Sequence, residues 1–400
     1  MSQIPILVDL GSSEIKAGFS GQEKPKLLSP NYIGELKSKK NYKDSQKKKY
    51  TSDECDKFMG NLILHHPIEK GVFTDPEDIS LVFNYIYSKL EINEEQIKEH
   101  PILISEALNN PRFNREKISE ILFEKVGTPA LIFGSQPLLS LFSTGATTGV
   151  VLESGDAITQ SCVGYEGFLI RSSCFRYDYG GRDVTNVLRA LIDKNNYNIN
   201  FNSFTDMKIL KNIKEKQCYL KLIKEKNSAN IGDDDNDEED NKYNDDFHPV
   251  DDDKNGEFSS IKSEFILPDG NKIELGDEKI LAPEILFNNK LNFSEYPTFH
   301  EIIFNTIAKV DITIKDKLYR HIILSGGNTL FKGMKRKMGF NLEKLVPKDT
   351  EIKLIMNKNP ILGCWNGENV ISNMSSFKRL LVSKNDWNEI GKRIVHDKSI

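Results

Sequence analysis

Short apolar runs alternate with stretches of helical periodicity along most of the chain. Residues 4–8, 101–105, 149–152 and 321–324 are apolar runs of strand length. Ile79, Val82, Phe83, Ile86, Tyr87 and Leu90 recur three and four residues apart, the spacing of one helix face. Ile118, Ile121, Leu122 and Val126 mark a second helix, with Asn114 as its expected cap. Val184, Val187, Leu188, Leu191 and Ile192 mark a third, after the cap candidate Asp183. The strand at 321–324 runs into a Gly-Gly turn and a further helix. Strands alternating with helices in this way predict an α/β architecture.

One internal echo organises the rest. Val8-Asp9-Leu10-Gly11-Ser12 and Leu152-Glu153-Ser154-Gly155-Asp156 share a pattern: an apolar strand ending in an acid, one residue, a glycine, then a small polar residue. Each is followed by a return strand, at 15–19 and at 158–163. A repeat at this separation predicts two related lobes, each offering a hairpin with an acid at its bend.

Such turns have definite chemistry. Gly- and Ser-rich bends expose backbone N–H groups, and several pointing one way make an anion site. Two facing turns, Gly11, Ser12 and Ser13 with Gly155, Asp156 and Ala157, could clasp a polyphosphate. Lys16, on the first return strand, could add a point charge. Acids at the bends repel phosphate unless a hydrated Mg²⁺ lies between, and magnesium keeps most of its waters. Asp9, Glu153 and Asp156 are therefore the candidate metal residues, acting through water. Leu324-Ser325-Gly326-Gly327 supplies a third element, a strand ending where another molecule can approach the backbone. The chain has no G-x-x-x-x-G-K-[ST] loop, no G-x-S-x-G elbow and no H-E-x-x-H pair, which sets aside those three chemistries.

Composition and charge alter this picture in two places. The formal net charge is −5, yet residues 233–253 hold twelve acids and one lysine; the remainder has 53 basic against 47 acidic residues. That acidic run cannot bury itself and reads as a disordered loop. A lysine run of opposite sign spans 37–49, with Asp44 as its only acid. It lacks the interleaved aromatics of a stacking platform, so nucleic acid is not an expected partner. Attraction between the two runs is one expectation for them; independent solvated loops is the other. Five cysteines without a C-x-x-C pair exclude a disulfide scaffold and a zinc finger. No apolar stretch has the length of a membrane span, so no insertion is expected.

At these residues the chain resembles the actin family, from about residue 4 to residue 396. Beside the two hairpins, the likeness is carried in order by Glu99-His100-Pro101, Asn114-Arg115-Glu116, Thr147-Thr148-Gly149, Gly181-Arg182-Asp183, Ile213-Lys214-Glu215-Lys216, Leu267-Pro268-Asp269-Gly270, Ala282-Pro283-Glu284, Leu324-Ser325-Gly326-Gly327 and Ile394-Val395-His396. Its details divide between conventional actins and the actin-related protein of dynactin. The resemblance implies an α/β, two-lobed ATPase fold with ATP or ADP and Mg in a cleft between related domains. It implies a small lobe over 1–135, including the lysine-rich loop 35–58. A large lobe over 136–335 would include the acidic insertion 227–258, with a return to the small lobe over 336–400. Lys214 and Glu215 would lie near the adenine or ribose, and Gly326 and Gly327 against the adenosine.

The resemblance also marks departures. Actins hold the hydrolytic water near a Gln, an Asp and a His. Here the matching positions are Gln136, Glu153 and Gln160, and Gln160 cannot accept and pass on a proton as imidazole can. Ser13 and Ala157 replace turn glycines, which would strain any turn needing a positive φ. The implied function is an ATP-binding cytoskeletal or assembly subunit with slowed hydrolysis, cytoplasmic, partnered by other actin-family subunits or a cytoskeletal complex. A conventional polymerising ATPase and a nuclear, chromatin-associated relative are the alternatives.

Overall fold

A computed structural model describes residues 4–37, 49–194, 201, 203–222, 262–291 and 296–400. Two large sheets carry the fold. In the first, strand Ile6–Leu10 pairs antiparallel with Glu14–Phe19, which pairs with Leu27–Pro30. On its other side Ile6–Leu10 runs parallel to Ile102–Glu106, and that strand runs parallel to Ala130–Ser135. The second sheet repeats this order. Gly149–Ser154 pairs antiparallel with Thr159–Tyr165, then Phe168–Tyr177. On the other side come the parallel strands Ile322–Ser325 and Leu354–Met356. The sequence echo is therefore an echo of topology, three meandering strands followed by two parallel ones in each sheet.

Strand alternation divides the apolar residues among three cores. Ile6 and Val8 face one way, with Val82, Phe83, Ile104 and Phe133. Val150 and Leu152 face the helices of the second sheet, with Leu188, Ile213 and Ile303. The residues between them, Leu7 and Val151, point into a third core shared by both sheets. Its centre is Trp365, fully buried among Leu103, Ile132, Leu139 and Ile323. Helices Gln136–Phe142 and Gly363–Ser372 cross here.

Local chemistry sets the element ends. Helix Pro76–Leu90 starts with Pro at its first position behind Asp75, whose carboxylate accepts from Glu77 N at 2.8 Å. Helix Phe204–Gln217 opens on a capping box. Asp206 N donates to Ser203 Oγ at 3.1 Å, and Ser203 N donates back to Asp206 at 2.8 Å. Two cap expectations fail. Helix Arg112–Glu120 starts two residues before Asn114, whose side chain instead accepts from Phe73 N and donates to Asn110. Asp183 lies inside the first turn of helix Gly181–Lys194 and accepts from Gly180 N at 2.8 Å.

The expected return to the first lobe at residue 336 also comes later. Met338, Leu342 and Ile352 still pack in the core of the second sheet, and Leu354–Met356 is its edge strand. The chain re-enters the first sheet at Val382–Ser383, which pairs with Ala130–Ser135. No helix among the described residues is long and apolar enough to cross a membrane.

Candidate functional site

Both hairpin turns open into one cleft of ≈ 370 Å³, within the ordinary range for a small-molecule site. Every site residue expected from the sequence lines it: Asp9, Gly11, Ser12, Ser13 and Lys16; Gln136, Glu153, Gly155, Asp156, Ala157 and Gln160; Lys214, Glu215, Gly326 and Gly327.

The turns are built alike. Gly11 N donates to Glu14 O at 3.0 Å and Gly155 N to Ile158 O at 3.0 Å, closing each bend around two residues. An asparagine amide braces each glycine carbonyl from behind, Asn31 on Gly11 O and Asn328 on Gly155 O, both at 2.8 Å. Among the described residues, the backbone N–H groups of Ser12, Ser13, Asp156 and Ala157 donate to no other backbone group. Four such donors in one cleft can receive an anion. Neither Ser13 nor Ala157 has a positive φ. The strain expected from these two replacements is absent, because neither turn uses the left-handed region there.

The two acids occupy equivalent places but differ in state. Asp9 pairs across the strand with Lys16 and Glu153 with Gln160. Lys16 Nζ lies 2.8 Å from Asp9 Oδ2, and Ser105 Oγ donates to Oδ1 at 2.6 Å. Burial pushes the Asp9 carboxyl up, but Lys16 and Ser105 outweigh it and hold it below its usual value. Lys16 is buried, which favours its neutral form, yet Asp9 overrides that and raises its pKa. Glu153 has an amide where Asp9 has an ammonium group. Its nearest hydrogen-bond donor is Ser140 Oγ, at 3.5 Å. Burial, then the Asp9 charge, push it up to about 8.

The remaining residues fall to the cleft walls. Gln136 Nε2 points to Asp9 Oδ1 at 3.4 Å and Ser105 Oγ at 3.3 Å. Gln160 Nε2 donates to Gln136 Oε1 at 2.9 Å. Lys214 is buried and donates to Gly181 O at 2.8 Å; burial lowers its pKa. Glu215 is exposed at the rim, 3.8 Å from Lys211. Gly326 adopts φ +85°, and a Cβ there would sit 2.3 Å from Ser154 O, so the position admits only glycine. A Cβ on Gly327 would meet nothing within 4 Å, which leaves backbone open to a ligand.

The donor set bears on magnesium. Among the described residues no three His, Cys, Asp or Glu side chains converge as direct ligands. Asp156 departs from expectation: Arg182 grips its carboxylate at 2.9 and 3.1 Å and ties it to Glu69. Asp9 and Glu153 remain, two acids whose mutual repulsion a cation would relieve. That fits an ion held through water; Arg182 occupies Oδ2 of Asp156 as Lys16 occupies Oδ2 of Asp9.

The actin family model matches residues 2–400. The chain belongs to the actin family. The lysine run over 38–48 and the acidic run over 233–253, with the attraction expected between them, lie outside the described residues. Lys49, the last of the lysines, is described; it lies within 3.6 Å of Glu35, Asp75, Glu77 and Asp78.

Other groups span the cleft mouth. Phe204 sits against Tyr32 and His66, with ring centroids at 5.5 and 5.3 Å. Lys208 donates to Tyr32 Oη at 2.7 Å and stands over its ring at 4.2 Å. Lys211 reaches Ser13 Oγ at 2.7 Å. These residues, like Ser105 and Arg182, were not singled out from sequence. Phe204→Ala should loosen this contact while leaving the fold intact, speeding hydrogen exchange at the amides around Tyr32 and His66 roughly tenfold. An unchanged rate would mean the aromatic contact does not hold the mouth.

Proposed function

We propose that this actin-family protein binds ATP with Mg in its interlobe cleft and serves as a structural or assembly subunit, retaining the nucleotide and hydrolysing it slowly. The observation that carries the reading is the pair of like hairpin turns, aimed into one cleft with Lys16 between them. A triphosphate would accept from the free N–H groups of both turns, with Lys16 adding charge. Bridging both turns, it would hold the two sheets together, so ligand and closed form stabilise each other. The adenosine would lie against the open backbone at Gly326 and Gly327, with Lys214 and Glu215 at its edge. When bound, magnesium would offset charge on the phosphate oxygens. Asp9 and Glu153 would hold it through water.

Slow hydrolysis is supported by the absence, among the described residues, of a proton acceptor of imidazole type beside Gln136. The partners this reading implies are other actin-family subunits or a cytoskeletal complex, in a cytoplasmic, cytoskeletal setting. Purified with Mg²⁺, denatured at intervals over a day and analysed for released nucleotide, the protein should yield ATP that persists. Accumulating ADP would overturn the slow-hydrolysis reading, and no nucleotide at all would overturn binding. Lys16→Met should reduce the recovered nucleotide at least tenfold.

A further inference from the structure

Gln160 does more than fill the place opposite Glu153. It is buried, and its Oε1 accepts from Leu108 N at 2.8 Å while its Nε2 donates to Gln136 Oε1 at 2.9 Å. Leu108 follows strand Ile102–Glu106 of the first sheet, whereas Gln160 belongs to the second. The bond therefore crosses between the sheets.

The direction of this chain is fixed at both ends. Leu108 N–H can only donate, so Gln160 must offer it oxygen and turn its NH₂ toward Gln136. Asp9, ionised beside Lys16, can only accept, so Gln136 must turn its own NH₂ toward Asp9 and its carbonyl toward Gln160. Each amide carbonyl then already holds a donor. A second arm grips the same peptide. Arg176 is the cross-strand partner of Gln160, and its Nη1 donates to Leu108 O at 3.4 Å. Its Nη2 donates to Lys70 O, at the turn of another first-lobe hairpin. Asp178 holds the guanidinium in place at 3.3 Å. Thus the N–H and C=O of Leu108, just beyond a first-sheet strand, are held by two neighbouring side chains of the second sheet.

We propose that Gln160 is a positioning residue that locks the Gln136 amide by gripping Leu108 across the cleft, so the closed cleft keeps a nucleoside triphosphate intact instead of orienting water onto it. Closure and suppressed hydrolysis then share one hydrogen-bond chain. Arg176 contributes only to the grip. This inference rests on nucleotide binding in the cleft, as proposed above.

The test separates the two arms. Gln160→Met keeps the volume and removes both amide bonds. Single-turnover conversion of bound ATP to ADP should rise at least tenfold, and adding Gln136→Ala should cancel the rise. Arg176→Met should speed nucleotide release several-fold and leave conversion unchanged. No rise in Gln160→Met, a rise that survives Gln136→Ala, or an equal rise in Arg176→Met would overturn the proposal. Gln160→Leu repeats the test with a branched side chain should the first variant fold poorly. A second readout needs no nucleotide. Hydrogen exchange at the Leu108 amide of the unliganded protein should be at least tenfold faster in Gln160→Met than in the unaltered chain. Equal exchange would overturn the grip even if the cleft bound no ATP, a result that would separately remove the proposed function.

Discussion

Gly367→Ala should destabilise the protein more than alanine at any other described glycine. A Cβ at 367 would lie 1.8 Å from Leu139 O and 2.4 Å from Leu139 C. Both are backbone atoms of helix Gln136–Phe142, so no side chain can swing aside. The helix pair must separate, and it forms the middle of the core to which both sheets contribute Leu7, Leu103, Val151 and Ile323. Overpacking a core typically costs about 1–3 kcal/mol, and a backbone clash belongs at or above the top of that range. The expected result is a loss of at least about 3 kcal/mol in denaturant unfolding followed by tryptophan fluorescence. Trp365 sits in the same core, and Trp387→Phe would make it the only reporter. An unshifted midpoint would mean the helices have slack that their approach does not suggest.

The architecture was legible because buried strands leave a simple trace. Residues 4–8 and 149–152 read as strands because each is a short, uninterrupted apolar run. The echo between Asp9 and Glu153 gave the repeat, since each hairpin carries an acid at the strand end and a glycine two residues later. The hairpin residues line the cleft for the same reason, whereas Gln136, Gln160, Lys214 and Glu215 were expected there only from the family resemblance. Side chains at strand ends and tight turns are placed by local backbone geometry, which sequence encodes directly.

What failed to show depends on long-range register or on rivals for the same atom. Asp156 looked like a metal residue, but Arg182, twenty-six positions away, reaches its carboxylate first. Asn114 and Asp183 had the chemistry of caps. Each helix begins earlier than its apolar face, so Asp183 accepts from Gly180 N from inside the first turn and Asn114 bonds Phe73 and Asn110 instead. The chain leaves the second sheet some twenty residues later than expected because Leu354–Met356 is an edge strand of a kind that periodicity cannot assign. Ser13 and Ala157 looked strained only on the premise that a glycine in a relative implies a positive φ. The clasp of Phe204 on Tyr32 and His66 joins residues more than 130 apart, with no local signal.

The unequal state of the two repeated acids leads to a second large effect, this one on pH. Glu153 is pushed up to about 8 from an ordinary 4.5, by burial first and the Asp9 charge second. Between those values the folded protein holds a proton that the unfolded chain releases. Stability must therefore fall as pH rises through that window, by at most about 1.4 kcal/mol per pH unit from this group. Above about pH 8 the carboxyl is ionised in both states and its dependence ends. Asp9 has the opposite sign. Its lowered pKa gives stability present above the ordinary carboxylate range and lost on acidification below it. In the magnesium- and nucleotide-free protein, Glu153→Gln should flatten the fall between about pH 5.5 and pH 8, and raise the melting temperature at the alkaline end by roughly 2 °C. A cation near Glu153 competes with that proton. Binding of Mg·ATP near pH 7 should then release close to one proton, detected by calorimetry in buffers of different ionisation enthalpy, and Glu153→Gln should abolish the release. Equal release from both proteins would place the titrating group elsewhere, and would return Glu153 to the ionised state that Lys16 enforces on Asp9.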